Sequence, residues 1–375
     1  MGLENFVDIT WSTAAQVIML GFIGGILSGF IGSGGAFFMT PGMMNLGVIG
    51  PVAVASNITH KFGKALVGAR RHSELGNVDK KLSFFMLITA AVGIRLAVIV
   101  MKMMFEGGDG SSEGNSAGAD LYISLVFVIV LVIVSISMLR DISKSRKKID
   151  KGPSRKIVQF LSKYRLPPII YFPVAEIYVS LWIVLISGLA CGYLAGTIGV
   201  GGFIGVPAMI YLFGASASVA AGTELMLAMF MGAFGAINYA FEGLVDIRLT
   251  LLLFAGSLCG IHVGAYGTKV VREVAIRLVT AIIILLCVFS RFIAIPIYLQ
   301  QLGYIDMNPE YNGYFNTASK ALLYLSGISG ALLILYYVLK AYIQRRKVEA
   351  SFSAEFPLNV NTGVEEYKPD IRNTS

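Results

Sequence analysis

Leu121–Leu139, Ile177–Ala195 and Leu278–Ile297 are almost unbroken apolar runs, the last interrupted by Arg291. About 20 helical residues cross the roughly 30 Å hydrocarbon core of a bilayer. Several such runs in one chain dictate helices that cross a membrane. The composition agrees: 56% of the 375 residues are hydrophobic and 14% are charged, where a soluble protein carries about 25% charged residues. The runs are continuous rather than alternating, which argues against a transmembrane β-barrel. The expected class is an all-α polytopic membrane protein, with the lipid bilayer as its solvent.

The net charge of +8 raises a nucleic-acid partner. The basic residues cluster in short loops, as orientation signals do, so none is expected. Cys191, Cys259 and Cys287 sit in apolar segments at unrelated spacings, with neither a disulfide framework nor a zinc pattern. No metal or cofactor is expected. The N-terminal MGLENFVDIT carries Glu4 and Asp8 and no basic residue, a poor start for a signal peptide. The first hydrophobic segment is therefore expected to remain in the mature protein.

A repeat runs through the chain. GFIGGILSGFIGSGG (21–35) matches GLACGYLAGTIGVGG (188–202) at a shift of 167 residues. The same register pairs Gly47 with Gly214, Gly68-Ala69 with Gly235-Ala236, and Gly76, Val78 and Asp79 with Gly243, Val245 and Asp246. It also pairs Gly93 with Gly260 and Lys102 with Lys269, while Pro41 lies one residue out of step with Pro207. Each unit reads as a helix, a glycine break, a short apolar piece and three full-length helices. The segments are 12–30, 36–48, 51–72, 79–104 and 120–140, then 178–196, 203–213, 216–241, 247–268 and 273–297. An unpaired helix over 319–344 follows. The expected divisions are a first transmembrane repeat (1–140), a basic cytoplasmic linker (141–177) and a second repeat (178–299). An extracytoplasmic loop with the extra transmembrane helix (300–345) and a disordered cytoplasmic tail (346–375) complete the chain.

Loop charges orient the units. Arg70, Arg71, Lys80 and Lys81 fall in one loop of the first unit, and Arg140, Lys144, Arg146, Lys147 and Lys148 follow its last helix. Its acidic loop over 106–120 carries no Lys or Arg. In the second unit the pattern flips: Lys269, Arg272 and Arg277 fall in the other connection, and 298–318 holds no basic residue. Inverted units with an outside N-terminus and a cytoplasmic C-terminus fit all of this except Arg291. Inversion requires an odd number of crossings per unit, met if the broken pair forms a hairpin that enters and leaves on one side. The competing reading makes that pair one kinked crossing and the units parallel.

The scattered Gly21, Gly25 and Gly29 share a helix face and read as packing residues. The breaks differ. A helix starting inside the membrane presents free N–H groups and a positive dipole end, which attract anions. Gly32, Ser33, Gly34 and Gly35, with Gly199, Val200, Gly201 and Gly202, are the candidate tips. Broken helices in inverted repeats place a transporter's site near the midplane.

SNITHKFGK (56–64) puts charge into the helix that starts near Pro51. Lys61 lies ten residues in, about 15 Å along the axis. Intramembrane ionisable groups mark a pathway, so Ser56, Asn57, His60 and Lys61 are candidate substrate ligands. Two readings stand for Lys64: a pathway residue, or a side chain snorkelling toward Arg70 and Arg71. His60 reads as a ligand or as a neutral core histidine. The second unit offers Thr223 and Glu224 at the positions of Ser56 and Asn57. Glu224 either neutralises Lys61 or carries a coupling proton. Arg95 and His262 are counterparts whose basic character points mildly to the route, and Asp79 and Asp246 read as helix caps.

GTIGVGGFIGVPAMIYLFGASASVAAGTELML with GLVDIRL, and GFIGSGGAFFMTPGMMNLG with ASNITHKF and GNVDKKL, resemble the two repeats of the TauE/SafE family of sulfite exporters. The resemblance covers roughly 15–105 and 180–300. It implies a secondary transporter, not an enzyme, moving sulfite, sulfate or an organosulfonate across a bacterial cytoplasmic membrane. The family often carries Thr-Ser where this chain has Ser56-Asn57 and Thr223-Glu224, and the lysines suit a more highly charged anion such as sulfate. The long linker, the acidic loop and the extra helix are departures. The expected partners are a small anion and, in one version of the mechanism, protons. A passive anion channel and a membrane subunit of a sulfur-metabolising complex are the alternatives; HExxH and P-loop motifs are absent from the sequence.

Overall fold

The computed structural model describes residues 9–31, 35–106, 112–145, 166–199, 201–270 and 273–355. The first unit contains α1 (Trp11–Ile31), α2 (Ala36–Asn45), α3 (Gly50–Glu74), α4 (Lys80–Glu106) and α5 (Ser112–Ser145). Antiparallel strands β1 (Ile169–Phe172) and β2 (Ile177–Ser180) follow. The second unit contains α6 (Leu181–Ile198), α7 (Gly202–Pro207) with a π-helical continuation over Ala208–Phe213, α8 (Ala217–Phe241), α9 (Ile247–Val270) and α10 (Glu273–Gln301). The last helix is α11 (Glu310–Glu355).

Among the described residues, eight helices are long and apolar enough to cross a membrane: α1, α4, α5, α6, α8, α9, α10 and α11. The 25-residue α3 is as long as several of these, but His60, Lys61, Lys64 and Arg70 keep its hydropathy low. Burial shields His60 and Lys61, at 1% and 7% exposure, while Arg70 is exposed near the end of the helix.

Each broken pair folds back on itself. Met39 of α2 lies over Gly24 of α1, Leu20 lies over Gly42, and Gly35 abuts the Gly24 carbonyl. In the second unit Gly201 lies against the Cys191 carbonyl and Gly205 beside the Cys191 Sγ. Both turns rest on glycine, and Gly199 closes α6 at φ +76°, a conformation that costs glycine little.

The two units interlock. The first helix of each packs along the fourth of the other, α1 on α9 and α6 on α4. A methyl group at Gly21 would stand 2.5 Å from the Leu253 carbonyl oxygen, and one at Gly25 would stand 2.6 Å from that of Ser257. Gly188 and Gly192 meet the backbone of Met86 and Ala90 in the same way. Gly21 and Gly25 are the close-packing residues expected from their spacing, and Gly188 and Gly192 do the same in the second unit. The counterparts α3 and α8 also pack together. Ile58 faces Gly235, Phe62 faces Gly232, Leu225 faces Gly68 and His72 faces Gly222. The two helices therefore pass in opposite directions.

Several expected boundaries move. α5 begins at Ser112, so the second half of the acidic loop is helical; Ala117 and Ala119 are fully buried, and packing outweighs the local glycines. Within the linker (141–177), α5 runs on to Ser145, and β1 with the start of β2 forms a hairpin. IIYF and IYVS are β-branched and aromatic segments around a Pro173–Glu176 turn. The last helix is longer than 319–344 at both ends. Pro309 presets its entry, and the tail residues 346–355, expected to be disordered, continue the helix. The remaining tail, 356–375, lies outside the described residues.

Candidate functional site

The middle of α3 meets both hairpins. Asn57 is fully buried. Its Nδ2 donates to the Ala36 carbonyl at 3.0 Å and to Thr40 Oγ1 at 2.7 Å, both on α2. Thr40 Oγ1 donates in turn to the Ile198 carbonyl at 3.3 Å, the last residue of α6. Gly199 lies against the Asn57 amide. One asparagine and one threonine thus tie the two glycine breaks together at the level of α3.

One turn further along, Lys61 Nζ stands 3.8 Å from Glu224 Oε1 of α8. Both are almost fully buried, at 7% and 3% exposure. Among the described residues Glu224 Oε2 has no hydrogen-bond partner, and it lies beside Gly205 of α7. Asn57 Oδ1 is also unpartnered among the described residues. A buried polar group without a partner marks an unseen water, ion or ligand, or a site under strain. Here a buried cation and carboxylate stand one helical turn from Asn57, the residue that meets both hairpins.

The other candidates take different places. His60 Nε2 hydrogen-bonds Ser257 Oγ of α9 at 2.7 Å, and its ring tilts on Phe254 with centroids 4.7 Å apart. That is a satisfied core histidine. Lys64 donates to Ser28 Oγ of α1, so it turns toward the first hairpin instead of snorkelling to Arg70 and Arg71. Ser56 Oγ donates to the Asp246 carbonyl at 3.4 Å, and Thr223 Oγ1 accepts from the Asp79 N–H at 3.0 Å. These counterpart hydroxyls bolt each third helix to the start of the other unit's fourth helix. Neither reaches the Lys61–Glu224 centre. Gly35, Gly201 and Gly202 are buried at the two turns. The expectations for Gly32, Ser33, Gly34 and Val200 lie outside the described residues.

Arg95 and His262 are not on this route. Arg95 pairs with Asn238 and with Glu242 at the C-terminal end of α8, and His262 is exposed. Asp79 and Asp246 do cap α4 and α9, accepting from the Leu82 and Leu249 N–H groups at 2.9 and 3.3 Å. Asp79 also holds the linker. Its Oδ2 accepts from the Val174 and Ala175 N–H groups, both at 3.1 Å, which docks the β-hairpin on the mouth of α4. Thr40, Ser28 and Ser257 were not singled out from the sequence. Thr40 had one signal, a hydroxyl beside proline in an otherwise apolar half-helix.

The family model for the sulfite exporter TauE/SafE matches residues 17–291, a span that includes both hairpins and both central helices. The chain belongs to the TauE/SafE family. The "Probable membrane transporter protein YdhB" of Bacillus subtilis (strain 168) is 29% identical over 282 residues, covering 73% of this chain and 99% of that protein. The "Probable membrane transporter protein YjnA" of the same organism is 26% identical, covering 68% of this chain and 89% of the relative. No solved structure matches this TauE/SafE chain significantly. α11 lies beyond the matched span, so it is an addition to the family's common part. The family and its relatives make the chain a multi-pass membrane transporter.

Proposed function

We propose that this TauE/SafE protein is a secondary transporter of small sulfur oxyanions, sulfite or sulfate, with organosulfonates as larger candidates. The single observation that carries the reading is the buried Lys61–Glu224 pair where the two hairpins meet the central helices. An anion is the natural partner of Lys61, and the neighbouring α2 start adds a positive dipole end. Glu224 competes with that anion for the lysine. Substrate entry then requires the carboxylate to move off or to take up a proton, which couples anion and proton movement at one place.

The two units are inverted in this proposal. The support is the opposite run of α3 and α8, counterparts in the repeat, whose facing residues pair in reverse order. The N-terminus lies outside and the C-terminus in the cytoplasm of a bacterial inner membrane, as the loop charges favour. The boundaries 1–140 and 178–299 delimit the two units, and alternating access comes from their rocking about Lys61. The ligand set is centred on Lys61, with Asn57 and the turns at Gly35 and Gly199–Gly202 around it.

Proteoliposomes loaded with unlabelled sulfite or sulfate test this. A carrier accelerates entry of the labelled anion under trans loading; a channel gives fast flux that trans substrate does not accelerate. A protein active only with copurifying subunits would favour the complex reading instead. An imposed pH gradient that left flux unchanged would remove the proton from the mechanism.

A further inference from the structure

An antiparallel sheet usually packs one face on the protein and turns a polar face outward. The β1–β2 hairpin keeps only half of that rule. On its inner face Phe172 and Val179 are buried, and Phe172 meets Phe85 of α4 edge to face. Its outer face carries Ile169, Tyr171 and Tyr178, all exposed, Tyr178 at 71%. The two tyrosines are opposed in the register, with ring centroids 4.7 Å apart. The exposed residues of both strands are thus all aliphatic or aromatic. The position of this face is fixed by α4 and α6. Gly188, Gly192 and Gly196 lie against Met86, Ala90 and Ala97 in that order, so the two helices run parallel and start at one membrane boundary. The β-hairpin is fastened across both starts. β2 leads directly into α6, and the Leu181 N–H donates to the Pro168 carbonyl at 2.9 Å. Asp79 holds the turn at the start of α4, and Lys81 Nζ donates to the Tyr171 carbonyl at 2.9 Å. Trp182, in the first turn of α6, is 55% exposed and continues the aromatic face toward the exposed Ile186.

We propose that the outer face of the β-hairpin is an interfacial anchor, seated at the boundary between headgroups and acyl chains of this leaflet and selective for anionic phospholipid. It is independent of the Lys61 reading and rests only on the chain's being a membrane protein. Tyrosine and tryptophan, with an apolar body and a polar tip, belong at that boundary. An exposed apolar patch fits an apolar partner. This patch is continuous through Trp182 with the apolar surface of a membrane-crossing helix, which makes lipid the occupant. Charge sets the headgroup. Lys80 and Lys81 are exposed at the start of α4, and residues 141–165, just before the β-hairpin, carry nine Lys or Arg against two Asp. Basic clusters beside a crossing helix attract anionic headgroups. The acid of the β-hairpin itself, Glu176 in the turn, is outnumbered.

The test puts a single indole on that face: Tyr178→Trp together with Trp11→Phe and Trp182→Phe, which replace the two native tryptophans. The full chain is reconstituted in vesicles of equal parts phosphatidylglycerol and phosphatidylcholine, with one or the other brominated in the upper acyl chain. Fluorescence should be quenched by the brominated lipids and protected from acrylamide in the water. Brominated phosphatidylglycerol should quench more than brominated phosphatidylcholine. Lys80→Gln, a change at an exposed position, should lower the relative affinity for phosphatidylglycerol about fivefold, the share of one surface lysine. Strong acrylamide quenching with none from the lipids would place the face in water and overturn the anchor. Protection from both quenchers would mean that protein, such as a second copy of the chain, covers the face, and would overturn it too. Equal quenching by the two brominated lipids, or a preference that Lys80→Gln leaves unchanged, would refute the selectivity for anionic lipid.

Discussion

Replacing Lys61 by methionine keeps the bulk of the side chain and strands Glu224. At the 3.8 Å separation of the pair, the attraction is about 4 kcal/mol at an effective dielectric constant of about 20. Deleting one member of a buried pair costs about 3–5 kcal/mol. The stranded carboxylate has one escape, proton uptake. That costs 1.36 kcal/mol for each pH unit above an aqueous value near 4.3, or about 3.7 kcal/mol at pH 7 and about 1 kcal/mol at pH 5. The folded variant then holds a proton that the unfolded chain releases at neutral pH, so its stability recovers on acidification. Lys61→Met should therefore lose about 4 kcal/mol at pH 7 and about 1 kcal/mol at pH 5. The double variant Lys61→Met/Glu224→Gln leaves no orphan charge and should regain about 2–3 kcal/mol at pH 7. Reversible unfolding in mixed micelles at the two pH values reads all three numbers. A single variant as stable as the double, or a loss that does not shrink at pH 5, would refute the buried pair.

Two further outcomes follow from the same geometry. Thr40→Val removes the acceptor of Asn57 and the tie to Ile198; it should cost about 1–3 kcal/mol and depress transport, while Thr40→Ser restores both in unfolding and flux assays. At the end of α8, Glu242 sits below the usual carboxylate range, chiefly through its hydrogen bond from Lys102 and secondarily through Arg95. A lowered value stabilises the fold above the unfolded carboxylate range, and that contribution is lost as pH falls through it. Glu242→Gln should flatten this acid loss by less than about 1 kcal/mol, because Arg95 and Lys102 are 49% and 44% exposed.

The fold was legible where glycine wrote it. The glycine register at 167 residues located both hairpins, and the reason is physical: helix backbones approach each other at Gly21, Gly25, Gly188 and Gly192. The cost of charge in hydrocarbon made Lys61 and Glu224 visible before their pairing was known. The hydroxyl residues were not legible. Serine and threonine in an apolar helix can satisfy themselves on their own backbone, so nothing local separates Thr59, which bonds the Ala55 carbonyl, from Thr40, which reaches Ile198. The partners of Ser56, Thr223 and His60 all lie in the other unit. The hairpin at β1–β2 was hidden for a different reason: the basic residues before it dominate the linker, and Asp79, which docks it, already had a sufficient role as a cap.

The most direct test of the central claim is counterflow of radiolabelled sulfite and sulfate in proteoliposomes, wild type beside Lys61→Ala. The account predicts counterflow in the wild type for at least one of the two anions and its loss in Lys61→Ala. Full counterflow in correctly folded Lys61→Ala would contradict it, leaving a carrier whose anion site lies elsewhere.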